Sequence, residues 1–300
     1  MSDLPLIAVT GATGFVGREV VKQLRAAGFP VRAIVREPGA ARWLAEEFGC
    51  ELFHGNVLYA PAMAGALDGV RCVVHLVGII HEAKESTFDR VHRQGTINVI
   101  EEAKKAGVKR LLHMSALGTR PDGRSRYHQT KWAAEEAVRQ SGLAWTIFRP
   151  SVIYGPGNKS ISVLAKVAKR LPFVPVLGSG EGRIQPVALE IVAKCFVGAV
   201  LNDESVKKAY DLCGPTAFTW NELYDKILSA LGQRKPKFHL PIPVARLQAA
   251  IFECVLPNPP FTRDQLLMTG EDNIGDPHPA ERDFQLAQES FEQGLARGFE

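Results

Sequence analysis

Apolar positions in the first half of the chain fall into short, nearly continuous runs separated by stretches with helical spacing. Residues 5–10, PLIAVT, form the first run; it ends in a glycine turn and passes into REVVKQLRAAG (18–28), whose apolar residues sit on one helical face and whose final glycine suits a C-cap. The runs PVRAIV (30–35), ELFHG (51–55) and RCVVHLVG (71–78) read as three more strands. A long helix is predicted from about Ser86 to Ala106, followed by KRLLHMS (109–115) as a fifth strand, a helix opening at RYHQTK (126–131), and LAWTIFRP (143–150) as a sixth strand. Alternation of this kind, with strands apolar on both faces, predicts an α/β fold: a doubly wound parallel sheet covered on each side by helices.

The second half has a different rhythm. A glycine-proline loop at 155–157 leads into a basic helix, and IQPVALEIVAKCFVGAV (184–200) reads as a helix lying back on the main sheet. AYDLCG (209–214) predicts a late strand, and TWNELYDKILSALG (219–232) an amphipathic helix capped by Thr219 with Glu222 three residues on. LPIPVARLQAAIFECVLPNPPF (240–261) is apolar around much of its helix and bracketed by prolines. It reads either as a core helix or as a hydrophobic surface for a membrane or partner. The expected division is a dinucleotide-binding part at 1–154 and, at 155–300, mainly a smaller substrate lobe, with about 183–213 returning to the first part.

Composition narrows the class. Three hundred residues, 46% hydrophobic and 23% charged, describe an ordinary globular chain, and a net charge of +4 gives no case for nucleic acid. Residues 271–300 hold eight acids and two bases, which leaves +10 for the rest. The five cysteines form no CxxC pattern and no cluster with histidine at metal spacing, so reduced, buried thiols in a cytoplasmic protein are expected and no metal site. No apolar run reaches the length of a spanning helix.

Chemistry concentrates where the strands end. Gly11, Gly14 and Gly17 form a G-x-x-G-x-x-G turn between the first strand and its helix. Such glycines admit positive φ, close approach of a pyrophosphate to the backbone, and tight helix–sheet packing. The turn predicts a Rossmann-type dinucleotide site. Arg36, nineteen residues past Gly17, stands where an acid would hold the ribose of NAD; an arginine there pairs with a 2′-phosphate instead and points to NADP(H). Glu37 keeps NAD(H) open.

These features together resemble the short-chain dehydrogenase/reductase superfamily in its extended or atypical, epimerase-like branch. The resemblance rests on TGATGFVG (10–17), Gly55-Asn56, VVHLVG (73–78), TINVIEEAKKAGVKRLLHMSALG (96–118), YHQTK (127–131) and RPSVIYGPG (149–157). It implies that Thr13, Phe15 and Val16 border the cofactor with the glycines, that Asn56 lies beside the adenine, and that the Val77-Gly78 backbone runs along the cofactor. Pro150, Val152 and Ile153 are then near the nicotinamide. FTRDQLLMTGEDN (261–273) further resembles the dehydrogenase-like accessory subunit of respiratory complex I and its free-standing bacterial relatives.

Tyr127 and Lys131 lie one turn apart on a helical face after the fifth strand, and Ser115 ends that strand. A phenol is a poor acid or base at neutral pH unless a cation lowers its pKa, which Lys131 would do, while Ser115 holds the substrate oxygen. This predicts a Ser115-Tyr127-Lys131 catalytic set in an oxidoreductase or epimerase-like enzyme acting on an unidentified carbonyl or alcohol. Arg120, Arg124 and Arg126 offer charge to an anionic substrate or are solvated. The complex I resemblance implies an alternative: a nucleotide carrier in a respiratory assembly, peripheral to the inner membrane, with Lys131 on the nicotinamide ribose and Tyr127 merely packed. A monomer and a homodimer are both compatible with the sequence.

Overall fold

The computed structural model describes residues 4–83, 85–157, 170–256 and 259–297. Six parallel strands, β1 (Ile7–Thr10), β2 (Val31–Val35), β3 (Glu51–His54), β4 (Cys72–His75), β5 (Arg110–Met114) and β6 (Ala144–Pro150), are joined by a seventh, Lys208–Leu212. Their order is β3-β2-β1-β4-β5-β6 and then the 208–212 strand. The order reverses between β1 and β4, which opens a crevice at their carboxyl ends.

Both faces of the sheet are covered, as the near-continuous apolar strands require. Ile7 and Val9 point to one side with Cys72 and Val74, against α1 (Phe15–Ala26), α2 (Arg42–Phe48) and the helix Leu189–Ala199. Ala8 and Val73 point to the other, against α3 (Gly95–Lys105) and α4 (Arg126–Arg139). The long helix expected from Ser86 begins later and differently: a π-helical turn, Asp89–Gln94, runs into α3.

Beyond β6 the chain builds small ribbons and short helices. Val174–Leu177 pairs in parallel with Lys237–Leu240, and Arg183–Ile184 pairs antiparallel with Phe218–Thr219. The helix Trp220–Ala230 begins in the expected capping box, with Thr219 Oγ1 accepting from the Glu222 N–H. The helix Ile242–Val255 buries only Ala245 and Ala249, so it is not a core helix of the lobe. The basic helix expected after residue 157 falls largely outside the described residues. Among the described residues no helix is long and apolar enough to cross a membrane.

Four cysteines are buried free thiols, but Cys254 is exposed on the Ile242–Val255 helix, against the expectation of burial for all five.

Candidate active site

The glycine turn is built by backbone constraint. Gly11 adopts φ +76°, and the Gly14 N–H donates to the Gly11 carbonyl at 3.0 Å. A Cβ on Gly17 would overlap the Gly11 carbonyl oxygen, so only glycine lets α1 start this close to the turn. No side chain caps α1: Gly14 is its N-cap, and Thr13 and Gly14 are exposed, with Phe15 half-buried. The helix thus presents its first N–H groups where β1 and β4 part, an arrangement that suits a pyrophosphate. Val16 is packed into the core.

Two further predicted residues sit on the same edge of the sheet. Arg36 directly follows β2 and is exposed; Asn56, two residues past β3, uses its side-chain oxygen to accept the Leu58 N–H at 3.0 Å. Arg32, by contrast, is turned away, with Nε on Glu51 at 2.9 Å and a second nitrogen on the Asp68 carbonyl.

Next to this edge lies a cavity of about 430 Å³. It brings together Gly78, Ser115, Tyr127 and Lys131 with Pro150, Val152 and Ile153, seven of the residues singled out in the sequence; the glycine turn, Arg36, Asn56 and Val77 lie outside its lining. The remaining walls are largely apolar: Ile79, Ile80, Met114 and Leu117 from the sheet side, and Ile184, Trp220 and Met268 from the lobe.

Lys131 is only 2% exposed, and its ammonium donates to the Met114 carbonyl at 3.1 Å. It also borders the Gly78 backbone so closely that a Cβ there would come within 3.0 Å of Nζ. Burial lowers its pKa to about 8, partly opposed by Glu135. Tyr127 stands edge-on to His92 and Phe88, with ring centroids 5.3 and 5.8 Å away. Burial pushes its phenol up to about 12, so desolvation, not the expected lowering by Lys131, dominates its environment. Ser115 is buried, and its hydroxyl donates to Thr119 Oγ1 at 3.3 Å.

Three residues not predicted complete the site. His92 hangs from the π-helical turn. The Thr130 hydroxyl donates to the Arg126 carbonyl, so it accepts from His92 Nδ1–H at 2.9 Å; Nε2 is then the acceptor for the Ile79 N–H at 3.1 Å. Burial and the neighbouring Lys131 hold His92 neutral. Asp264, from the lobe helix Arg263–Thr269, accepts from the Arg126 and Tyr127 N–H groups at 2.7 and 3.1 Å and so anchors the start of α4. Asn273 accepts from Ser151 at 2.6 Å and donates to the Leu117 carbonyl at 3.1 Å, pinning the GEDN segment across the cavity.

The loop arginines are committed elsewhere. Arg120 pairs with Glu271 at 2.8 Å, Arg124 lies 3.8 Å from the same carboxylate, and Arg126 pairs with Glu82 at 2.9 Å. Arg183, on the cavity wall, donates from Nε and a terminal nitrogen to a single oxygen of Asp272, at 3.0 and 2.6 Å.

Residues 11–171 match the family model described as NAD(P)H-binding. The chain is 30% identical over 246 residues to a ceramide reductase of Caulobacter vibrioides, covering 79% of this chain and 74% of that one. It is 28% identical over 259 residues to NADH dehydrogenase [ubiquinone] 1 alpha subcomplex subunit 9 of Arabidopsis thaliana, covering 84% of this chain but only 64% of that subunit. An Escherichia coli NADPH-dependent quinone oxidoreductase solved with NADPH shares the fold, with a TM-score of 0.78 at 21% identity over 97% of this chain and 99% of that one.

Proposed function

The chain belongs to the NAD(P)H-binding family, and on that premise we propose that it is an NADP(H)-dependent reductase of an apolar carbonyl compound. The reading is carried by one juxtaposition: Ser115, Tyr127 and Lys131 line a single, mostly hydrophobic cavity beside the Gly78 backbone. The glycine turn fits the cofactor, because its geometry leaves α1's first N–H groups uncapped and excludes a Cβ at Gly17. When bound, NADPH supplies the hydride.

The chain's own residues supply the rest. A phenol held near pKa 12 stays protonated at neutral pH, which suits Tyr127 to donate its proton to a carbonyl oxygen as that oxygen gains electron density. Lys131, with a pKa of about 8, is mostly cationic at neutral pH; it favours the phenolate left behind and offers a donor to the nicotinamide ribose. Ser115 orients the substrate oxygen. Arg36 pairs with the 2′-phosphate, and residues 1–154 form the dinucleotide-binding part, while 155–300 mainly close the substrate side, with about 183–213 returning to the first part. Quinones and hydrophobic ketones match the walls; sugar nucleotides do not, because Arg120 and Arg183 are already paired with acids.

The likeness to the Arabidopsis subunit favours a second reading, a nucleotide-binding component of a respiratory assembly in which Tyr127 only packs. Two substitutions separate them. In the reductase reading, Tyr127→Phe keeps NADPH affinity and lowers turnover of a quinone or ketone by about a hundred-fold or more. In the carrier reading Tyr127→Phe is silent and Lys131→Ala alone weakens nucleotide binding. A substrate reduced equally by wild type and Tyr127→Phe overturns the catalytic assignment.

A further inference from the structure

The helix Ile242–Val255 is built inside out for a member of a soluble core. Its two fully buried residues, Ala245 and Ala249, are the small ones. Val244, Leu247, Ile251 and Val255 recur at three- and four-residue intervals along the opposite face, and Leu247 is 66% and Val255 71% exposed.

The adjoining ribbon extends this face. In the pair Val174–Leu177 and Lys237–Leu240, Val174 and Val176 pack on Tyr224 and Leu228, whereas Leu177 and Leu240 pack under Ala245 and Ala249. Alternation puts Phe238 on the same side as Leu240, and Phe173 on the side of Leu177. Their rings meet at 5.6 Å, and Phe238 is 55% exposed.

The two strands are parallel, so the segments entering them lie at one end, beside these phenylalanines. Those segments carry Arg170, Arg234 and Lys235, and Lys235 indeed reaches the Leu171 carbonyl at 2.8 Å. Exposed Arg246 adds a further base on the helix itself. Asp225 beside the ribbon is paired with Lys237 and Glu253 on the helix with Arg263, whereas Arg246 borders a cavity that Glu82, Glu85 and Asp264 also line, so the basic rim rests chiefly on the ribbon end.

We propose that this helix and ribbon end form a docking surface for an anionic phospholipid bilayer, independently of whether Tyr127 is catalytic. Large aliphatic and aromatic side chains with a basic rim match an acyl layer beneath anionic headgroups. A second copy of the same face would oppose the bases of one chain to those of the other. The helix, about 21 Å long, lies along the interface and does not cross it. The Arg263–Thr269 helix packs against it and supplies Gln265, Met268 and Thr269 to the cavity wall, which brings the cavity within one helix of the lipid.

Sedimentation of the full chain with vesicles tests this. The chain is expected to pellet with vesicles of equal parts phosphatidylglycerol and phosphatidylcholine, much less with phosphatidylcholine alone, and to be released by salt. Leu247→Glu with Ile251→Glu should weaken pelleting by at least about tenfold while unfolding temperature and NADPH binding stay as in wild type. Arg234→Glu with Lys235→Glu should abolish the preference for phosphatidylglycerol. A wild-type chain that stays in the supernatant with both vesicles overturns the proposal. So does the Leu247/Ile251 variant pelleting as wild type does, or its converting a wild-type dimer to a monomer when wild type ignores vesicles.

Discussion

The role we propose for Arg36, contact with a 2′-phosphate, rests on position alone. It directly follows β2, is exposed, and sits beside the strand that carries the glycine turn, whereas Arg32 on the same strand is spent on Glu51 and the Asp68 carbonyl. Of these two arginines, Arg36 is the one left to meet the proposed 2′-phosphate. A charge-assisted contact of that kind contributes roughly 1.5 to 3 kcal/mol, about ten- to a hundred-fold in affinity. Arg36→Ala is therefore expected to erase most of a preference for NADPH over NADH and leave NADH binding unchanged, read by fluorescence titration of both nucleotides. Equal curves for the two nucleotides in wild type would remove the assignment. Residues of this sort are legible in sequence because backbone geometry or strand position fixes them: Gly11 needs its positive φ and Gly17 its missing Cβ whatever surrounds them. His92 was illegible, since its ring reaches Ile79 and Thr130 from a π-helical turn that the helical pattern of 86–106 does not reveal.

At the scale of elements, α4 shows where local pattern stops being informative. Its amphipathic start at residue 126 was readable, and Ser125 caps it by accepting the His128 N–H at 3.1 Å. The two donors before it, the N–H groups of Arg126 and Tyr127, are satisfied by Asp264, some 137 residues away in sequence. No periodicity links those segments; only the tertiary fold does. Asp264 also places a carboxylate at the positive end of the helix that carries both Tyr127 and Lys131. Asp264→Ala is expected to lower stability by about 1 to 2 kcal/mol. Because the lost contact is to the Tyr127 backbone, turnover should fall while NADPH affinity holds, with Asp264→Asn intermediate in both thermal unfolding and rate. Loss of NADPH binding in step with turnover would mean that the helix start is merely structural. The Ile242–Val255 helix illustrates the complementary limit: its apolar content was plain in the sequence, but which side faces water depended on two alanines finding Leu266, Leu177 and Leu240.

For the whole molecule, the parallel sheet was legible because strands buried on both faces must be continuously apolar. The polar residues that interrupt those strands set how stability varies with pH. His75 on β4 and His113 on β5 lie opposite each other in register, with rings stacked at 5.4 Å. His75 shares Thr10 and Thr96 through its two nitrogens, and neither nitrogen of His113 has a hydrogen-bond partner. Burial, with Lys131 nearby, lowers the pKa of His75 to about 3 and holds those of His92 and His113 far below 6.5. All three therefore fold neutral. Below pH 6.5 the unfolded chain binds protons that the folded chain refuses, so stability present above that pH is lost as pH falls, by up to about 1.4 kcal/mol per pH unit for each histidine. Lys131 acts in the same direction at the other end of the scale: with its folded pKa lowered to about 8 from 10.5, the unfolded state holds the extra proton between those values, and stability rises with pH there. Urea unfolding between pH 5 and 7 should thus show a steep loss of stability towards acid, before carboxylate protonation contributes. His113→Phe keeps a buried ring, removes two unpaired nitrogens, and should cut the acid slope by roughly a quarter, since burial lowers the pKa of His128 as well, with little loss of stability at neutral pH. An unchanged slope in that variant would show that His113 takes up its proton in the folded state, and that the stacked pair is more open to water than its burial at the centre of the sheet indicates.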